Sequence, residues 1–378
     1  MTLVLILLIA AVAANRFIIQ PLNRLISTTY YPVSYEEIPE ESVTVETPEV
    51  YELMYILAYL GGYGGLGVRS EAYLEDVQQW FSGMEHHRAV SMIREFFSRG
   101  SLYDLGFSFA LGIDDGSLYS RGNYSVEEIF EARSLAFETI ENFIEESRYE
   151  EFYQKHHDFY HQMHAQFLGI VPLDDVRQWL EQHFSARHDL YRVLISPMAS
   201  SKQYAYLFRD WWRRVHEIIV ALPPVHPQLI GEHEQDRITY EEMEALASLE
   251  AFTELAYGYA GPATDGFINR AGIQEVFSHE VTWFTGVGYG LPTQVFNEYL
   301  VWTAYILYCE DRYSPKTVEM IHSAVSEIMK RRGFVIFDEF ALEVLDLRRN
   351  HGDDFSLEKS YSDMLAAARR ISTEENQP

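Results

Sequence analysis

One segment of the chain, Val276-Phe277-Ser278-His279-Glu280-Val281-Thr282-Trp283, carries the clearest chemical signal in the sequence. Apolar residues recur there at helical spacing, which predicts a helix over residues 271–284. In the H-E-x-x-H helices of zinc sites, two histidines one turn apart face one ion, and the glutamate between them reaches the zinc-bound water as general base. His279 and Glu280 match the first ligand and that base. The segment therefore predicts a helix built for zinc chemistry.

The second histidine of that motif is replaced by Trp283. An indole nitrogen carries a hydrogen and has no lone pair for a metal, so this residue removes a ligand. Glu298 lies near the start of the next predicted helix, where a third ligand is expected. One imidazole and one carboxylate make a weak zinc site, so we expect zinc to be bound weakly or lost, with catalysis lost as well.

The region of His279 and Glu280 resembles the bacterial family of gluzincin-type metallopeptidases catalogued as domain of unknown function 4932. The resemblance implies an extracytoplasmic, helical peptidase fold with a gluzincin-like active-site helix that holds zinc. It extends over most of the body and includes Glu49-Val50-Tyr51-Glu52-Leu53, Tyr73-Leu74-Glu75-Asp76-Val77, Phe152-Tyr153 to His156, Ile195-Ser196-Pro197, Asn297-Glu298-Tyr299 and Gly333-Phe334.

A metal site shifted by one helical turn is an alternative. Glu275 precedes His279 by one turn on the same helix face, so Glu275, His279 and Glu298 offer another ligand set. That shift moves the ion away from Glu280, and the general base would no longer reach the water. Trp302 lies one turn beyond Glu298, and we expect Trp283 and Trp302 to fill the volume that metal and substrate would occupy.

A histidine cluster is the second candidate for function. His157, His161 and His164 share one face of a predicted helix, where they could bind a metal or respond to mild acid. The alternative is a polar helix face that lines a cleft or meets solvent.

Composition limits the classes of function. Among 378 residues, 57 are acidic and 29 are Lys or Arg, which gives a net charge of −28 and disfavours nucleic acid as a partner. Cys309 is the only cysteine, which excludes an intramolecular disulfide and a thiolate zinc cluster. No Gly-x-Ser-x-Gly elbow occurs in the sequence.

The N-terminus predicts export to the periplasm or the medium. Residues 1–14 are apolar and end in small residues, as in a signal peptide or a short anchor, and are too few to span a bilayer stably. Residues 15–47 form an acidic leading segment, predicted to be a tether or an extended segment.

The remaining pattern predicts an α+β, predominantly α-helical fold with a small β-sheet in the middle. We divide it into an N-terminal helical region, 48–189, and a region of sheet plus metallopeptidase-like helices, 190–378. Predicted strands cover 190–197, 204–208 and 216–222. The first predicted helix begins at Pro48. The other predicted helices cover 72–81, 88–97, 102–111, 126–167 with a break near Ser147, 240–257, 271–284, 293–308, 315–331, 338–350 and 357–371.

These observations predict a degenerate zinc-metallopeptidase-like protein that binds a peptide or protein in the former substrate cleft without cutting it. One alternative is an active zinc-dependent peptidase with an atypical ligand set. The other is a non-catalytic structural protein of the envelope. The sequence leaves the oligomeric state open.

Overall fold

The computed structural model of this protein describes residues 30–33, 42–63, 70–99, 108–120, 137–199, 203–210, 212–225, 238–284 and 291–375. At residues 32, 96–99, 279–284 and 373–375 it describes the backbone but not the side chains. The predicted signal segment, 1–14, lies outside these ranges. Within them the chain is mostly helical with a small mixed sheet, which confirms the predicted α+β, predominantly α-helical class.

The described ranges contain thirteen α-helices and seven strands. The helices are α1 (Glu49–Leu60), α2 (Glu71–Trp80), α3 (Arg88–Arg99), α4 (Phe137–Ser147), α5 (Tyr149–Lys155), α6 (His157–Ile170), α7 (Leu173–His183), α8 (Tyr240–Gly266), α9 (Arg270–Phe284), α10 (Pro292–Arg312), α11 (Pro315–Arg331), α12 (Phe337–His351) and α13 (Tyr361–Glu375). The strands are β1 (Tyr30–Pro32), β2 (Val43–Glu46), β3 (Leu111–Asp114), β4 (Ser117–Ser120), β5 (Leu190–Ile195), β6 (Tyr204–Asp210) and β7 (Val215–Leu222).

The chain divides into two compact units. The described parts of Tyr31–Leu173 and His188–Leu255 form what we call the sheet unit. Those of Asp174–Arg187 and Ala256–Pro378 belong to what we call the helical unit. The units alternate along the chain, whereas the sequence-based division of residues 48–378 has one boundary, between 189 and 190.

The sheet unit is built on five strands in the order β1-β6-β7-β5-β2. β5 runs parallel to both of its neighbours, with Val193 opposite Val45 and Val220, while β6 and β7 are antiparallel. β5 and β7 bury nearly every residue. Their almost continuous apolar runs fit this position, because inner strands covered on both faces have no polar side. All three predicted strands are confirmed.

The leading segment 15–47, predicted to be a tether or an extended segment, contributes two strands to the sheet. Val43–Glu46 forms the edge strand β2, and Tyr30–Pro32 forms the opposite edge, β1. Val43, Thr44 and Val45 suit a strand because they are β-branched. The sheet is therefore assembled from two distant parts of the chain, since β2 gains its hydrogen-bonding partner only from β5.

Local backbone geometry explains where other predictions fail in the sheet unit. The helix predicted over 102–111 is wrong at its end, because Leu111 begins a hairpin. The turn of this hairpin, Asp115-Gly116, has positive φ at both residues. Residues 102–107 lie outside the described ranges. The predicted helix break near Ser147 is confirmed at Arg148, where φ is +55°. A second break at His156 and the helix α7 were not predicted.

The helical unit is organised around α10, which buries almost every residue from Thr293 to Cys309. α9, α11 and α12 pack against it, and α13 packs against α9 and α12. A helix that is apolar on all sides belongs in a core, and Cys309 is fully buried in this one. No helix in the described ranges is both long and apolar enough to cross a bilayer.

Candidate functional site

Glu298 lies in the second turn of α10 and is only 3% exposed. The start of this helix explains its position. Leu291 is extended and precedes Pro292, whose fixed φ suits a first helical residue, and the Leu291 N–H donates to Gln294 Oε1 at 3.1 Å. The helix therefore begins early enough to carry Glu298 into the core.

Three side chains donate hydrogen bonds to the Glu298 carboxylate. The Tyr257 hydroxyl donates to Oε1. Trp302 Nε1 donates to Oε2 at 3.2 Å, and Arg332 Nη2 donates to the same oxygen at 2.7 Å. Because Arg332 is a cation, it also balances the carboxylate charge within the protein.

Arg332 is positioned by the end of α11. Gly333, at φ +87°, follows it and lets Phe334 N–H reach the Met329 carbonyl at 3.0 Å, while its own N–H reaches Lys330. This is a Schellman ending, which needs the left-handed conformation that glycine adopts readily. The guanidinium then lies 5.1 Å from the ring centroids of both Trp302 and Phe334. Glu298, Arg332 and Trp302 form one preorganised cluster, which we call the Glu298 cluster.

The helix that carries His279 and Glu280 packs along the helix that carries Glu298. Phe277 shows this contact, since its ring centroid lies 5.6 Å from that of Phe296 and 5.4 Å from that of Tyr299. The side chains of 279–284 lie outside the described part of the chain. The expected contact between Trp283 and Trp302 therefore stays a prediction, as does zinc at His279.

The shifted ligand set draws on two carboxylates in very different surroundings. Glu275 is exposed on α9 and forms an ion pair with Arg369 at 2.9 Å, whereas Glu298 is buried and paired with Arg332. Among the residues with described side chains, no three or more His, Cys, Asp or Glu are grouped as a metal site. In this arrangement three hydrogen bonds use three of the roughly four lone-pair sites of the Glu298 carboxylate, and the Arg332 guanidinium already supplies the positive charge beside it.

The predicted histidine face of α6 is partly assembled. Nε2 of His157 and Nε2 of His161 lie 3.2 Å apart, and both residues are exposed. His164 is set apart, because its Nε2 bonds to Thr47 Oγ1 at 2.9 Å. Thr47 gives its only hydroxyl hydrogen to the Ile195 carbonyl at 2.6 Å, so His164 Nε2 must be the donor to Thr47. Burial, aided by the charges of His161 and His157, lowers the pKa of His164 to about 4.

Glu52 is a buried acid to which the sequence-based analysis gave no role of its own. Its Oε1 accepts from the Tyr73 hydroxyl at 2.7 Å, and the Tyr73 and Tyr160 hydroxyls are 2.8 Å apart. Burial raises the pKa of Glu52 to about 7, although hydrogen bonds from Ser196 and Tyr73 oppose that shift. The signal in the sequence was an acid placed between apolar residues of α1, Tyr51 and Leu53.

Comparison of the chain with protein families, with curated proteins and with solved structures found no match. The resemblance to gluzincin-type metallopeptidases and the expected export of the chain therefore stay predictions.

Proposed function

We propose that this protein is a metallopeptidase-like protein without peptidase activity, which binds a peptide or protein segment instead of cutting it. The buried carboxylate of Glu298 carries the proposal, because its charge is already balanced by a cation of the protein. Arg332 donates to Oε2 at 2.7 Å, and Tyr257 and Trp302 also donate to the carboxylate.

The positive charge beside Glu298 comes from a guanidinium. Zinc bound to Glu298 would lie beside the Arg332 guanidinium, so the two cations would repel each other or the ion pair would have to break. Trp283 adds no lone pair at the second ligand position. Two of the three expected protein ligands are therefore unsuited to zinc, which supports loss of catalysis.

The Glu298 cluster also supports binding. Trp302 and Arg332 are both partly exposed, and they are residue types that dominate the energy of protein interfaces. Their stacking and the bond from Arg332 to Glu298 hold both side chains in place, so a partner would lose little entropy on ordering them. The net charge of −28 favours a peptide or protein over nucleic acid.

Metal analysis tests the loss of catalysis. The untagged full chain and His279→Ala are equilibrated with zinc, dialysed and analysed by mass spectrometry, and both are assayed on a quenched peptide library. We expect equal zinc content in the two proteins and no hydrolysis above background. A zinc ion that is lost in His279→Ala, together with hydrolysis that is lost in Glu280→Gln, would instead identify an active enzyme.

Restoration tests the origin of the scaffold. The variant Trp283→His/Arg332→Ala supplies a second imidazole and frees Glu298. Once circular dichroism shows that it is folded, we expect it to bind one zinc ion that His279→Ala removes. A folded variant that binds no such zinc contradicts the metallopeptidase-like scaffold and favours the structural alternative.

Peptide selection tests binding. A random peptide library is selected on the wild-type chain, and the enriched peptides are titrated against Trp302→Ala and Trp212→Ala. Trp212 is 93% exposed and lies in the sheet unit, so it controls for unspecific contacts with indoles. We expect affinity to fall at least about tenfold in Trp302→Ala, as for a hot-spot residue, and to stay unchanged in Trp212→Ala. Equal affinities in all three proteins contradict binding at this cluster.

A further inference from the structure

The histidine pair on α6 has the geometry of a chelating site. His157 and His161 are four residues apart on one helix, so they lie one turn apart on the same face. Their Nε2 atoms are separated by 3.2 Å and their ring centroids by 4.3 Å, with the rings nearly perpendicular. The two Nε2 atoms therefore lie next to each other on this exposed helix face.

This separation matches what one metal ion requires. With Zn–N bonds of about 2.05 Å and tetrahedral angles, two ligating nitrogens lie about 3.4 Å apart. A movement of a few tenths of an ångström at the end of two flexible side chains covers the difference. The ion would take the place of the hydrogen between the two nitrogens, and that hydrogen would move to Nδ1 of its own ring, so that both imidazoles stay neutral. Both side chains are exposed, so the loss of the hydrogen bond between them costs little.

We propose that His157 and His161 bind one divalent transition-metal ion of the nickel, copper and zinc series through their Nε2 atoms, with water in the remaining positions. Imidazole suits these metals, and copper is expected to bind most tightly. The site has two protein ligands, because His164 Nε2 is held by Thr47. It lies in the sheet unit and does not rest on the proposed function of the Glu298 cluster in the helical unit.

In the test, the untagged full chain is titrated with Cu²⁺ and Ni²⁺ at neutral pH. Calorimetry measures the binding, and electron paramagnetic resonance identifies the copper ligands. We expect one ion per chain, a spectrum that shows two imidazole nitrogens, and affinity at least about tenfold lower in His157→Ala and in His161→Ala. That loss corresponds to one ligand of a two-ligand chelate. Binding should weaken in mild acid, because protons compete with the ion for the imidazoles.

Two control variants make the result specific. His351→Ala removes another exposed helical histidine and should leave the affinity unchanged. His279→Ala should also leave it unchanged, which separates this site from any metal at the predicted peptidase motif. Unchanged affinity in His161→Ala, or a spectrum with one imidazole nitrogen, overturns the proposal. Because both ligands are exposed, their alanine variants should keep the wild-type circular dichroism spectrum.

Discussion

At the scale of single residues, buried acids and bases show how this protein holds polar groups in its core. Glu52 has no exposed surface, and its carboxylate depends on hydroxyl donors such as Tyr73. Hydroxyl donors supply no positive charge, so burial outweighs them and the pKa of Glu52 rises to about 7. Glu298 is instead paired with a cation, Arg332.

Replacement of Glu52 should change the pH dependence of stability. The folded-state pKa is raised above its value in the unfolded chain, so the neutral acid is favoured and the wild type loses stability as the pH rises from about 4.5 to about 7. The free energy of unfolding of Glu52→Gln minus that of the wild type should therefore increase by about 2.5 kcal/mol from pH 5 to pH 8. Urea unfolding of both proteins at the two pH values measures this difference.

Glu75→Gln is the matched control for that experiment. Glu75 is exposed on α2, so its replacement should shift stability equally at both pH values. If Glu52→Gln follows the wild type at pH 5 and pH 8 alike, burial does not raise the pKa of Glu52 in solution.

At the scale of elements, turns and helix ends position the functional groups. The hairpin of β3 and β4 depends on Asp115 and Gly116, with φ of +48° and +78°, as in the two-residue turns that match strand twist. The end of α11 depends on Gly333 in the same way and thereby places Arg332. Both are cases where backbone conformation decides where a side chain can lie.

Gly116→Ala should destabilise the protein by about 1 kcal/mol, because a side chain is strained at that φ. No neighbouring atom lies within 4 Å of the added Cβ, so the cost comes from the backbone alone. Gly169→Ala is the control of opposite sign: it lies inside α6 with equally open surroundings and should stabilise by about 0.5–1 kcal/mol. Urea unfolding measures the stability of both variants. If Gly116→Ala stabilises the protein, a side chain is not strained at this position.

The pair between Glu298 and Arg332 joins two helices. Arg332→Met should destabilise the protein by about 3 kcal/mol, because it leaves a buried carboxylate without its cation. Glu298→Gln in the same chain should recover a large part of that loss, since the remaining amide carries no charge. Urea unfolding of the wild type, both single variants and the double variant gives the coupling energy.

Arg331→Met provides the comparison for that cycle. Arg331 is the preceding residue, and its ion pair with Glu327 is exposed on both sides, so its loss should stay within about 0.5 kcal/mol. Equal effects at 331 and 332 would mean that the Glu298 pair is not buried in solution.

At the scale of the whole molecule, charge is the dominant property. A net charge of −28 makes the folded chain repel itself, and salt screens that repulsion. We expect the thermal midpoint at pH 7 to rise as NaCl increases from about 0.02 M to about 0.3 M, over which the Debye length falls from about 20 Å to about 6 Å. Scanning calorimetry measures the shift.

The same salt series near the isoelectric point, about pH 4.8, serves as the control, because the net charge is then close to zero. The rise should shrink or disappear there. A midpoint that rises equally at both pH values would point to a general salt effect and away from self-repulsion.

The sequence alone determined the elements whose signal is local. The helices α9 to α13 and the strands β5 to β7 follow from the spacing of apolar residues, because one amphipathic or fully buried segment contains its whole pattern. The hairpin at Asp115-Gly116 also had a local signal, in its two turn residues, which the sequence-based prediction did not use.

Only the tertiary structure decided which distant residues meet. Nothing near β2 in the sequence indicates that it pairs with β5, and nothing near Glu298 indicates that Tyr257 and Arg332 bond to its carboxylate. The same holds for Glu52, whose pKa depends on hydroxyls from α2 and on Ser196 after β5. Burial and charge pairing are properties of the assembled core, because they arise between segments that the chain brings together only on folding.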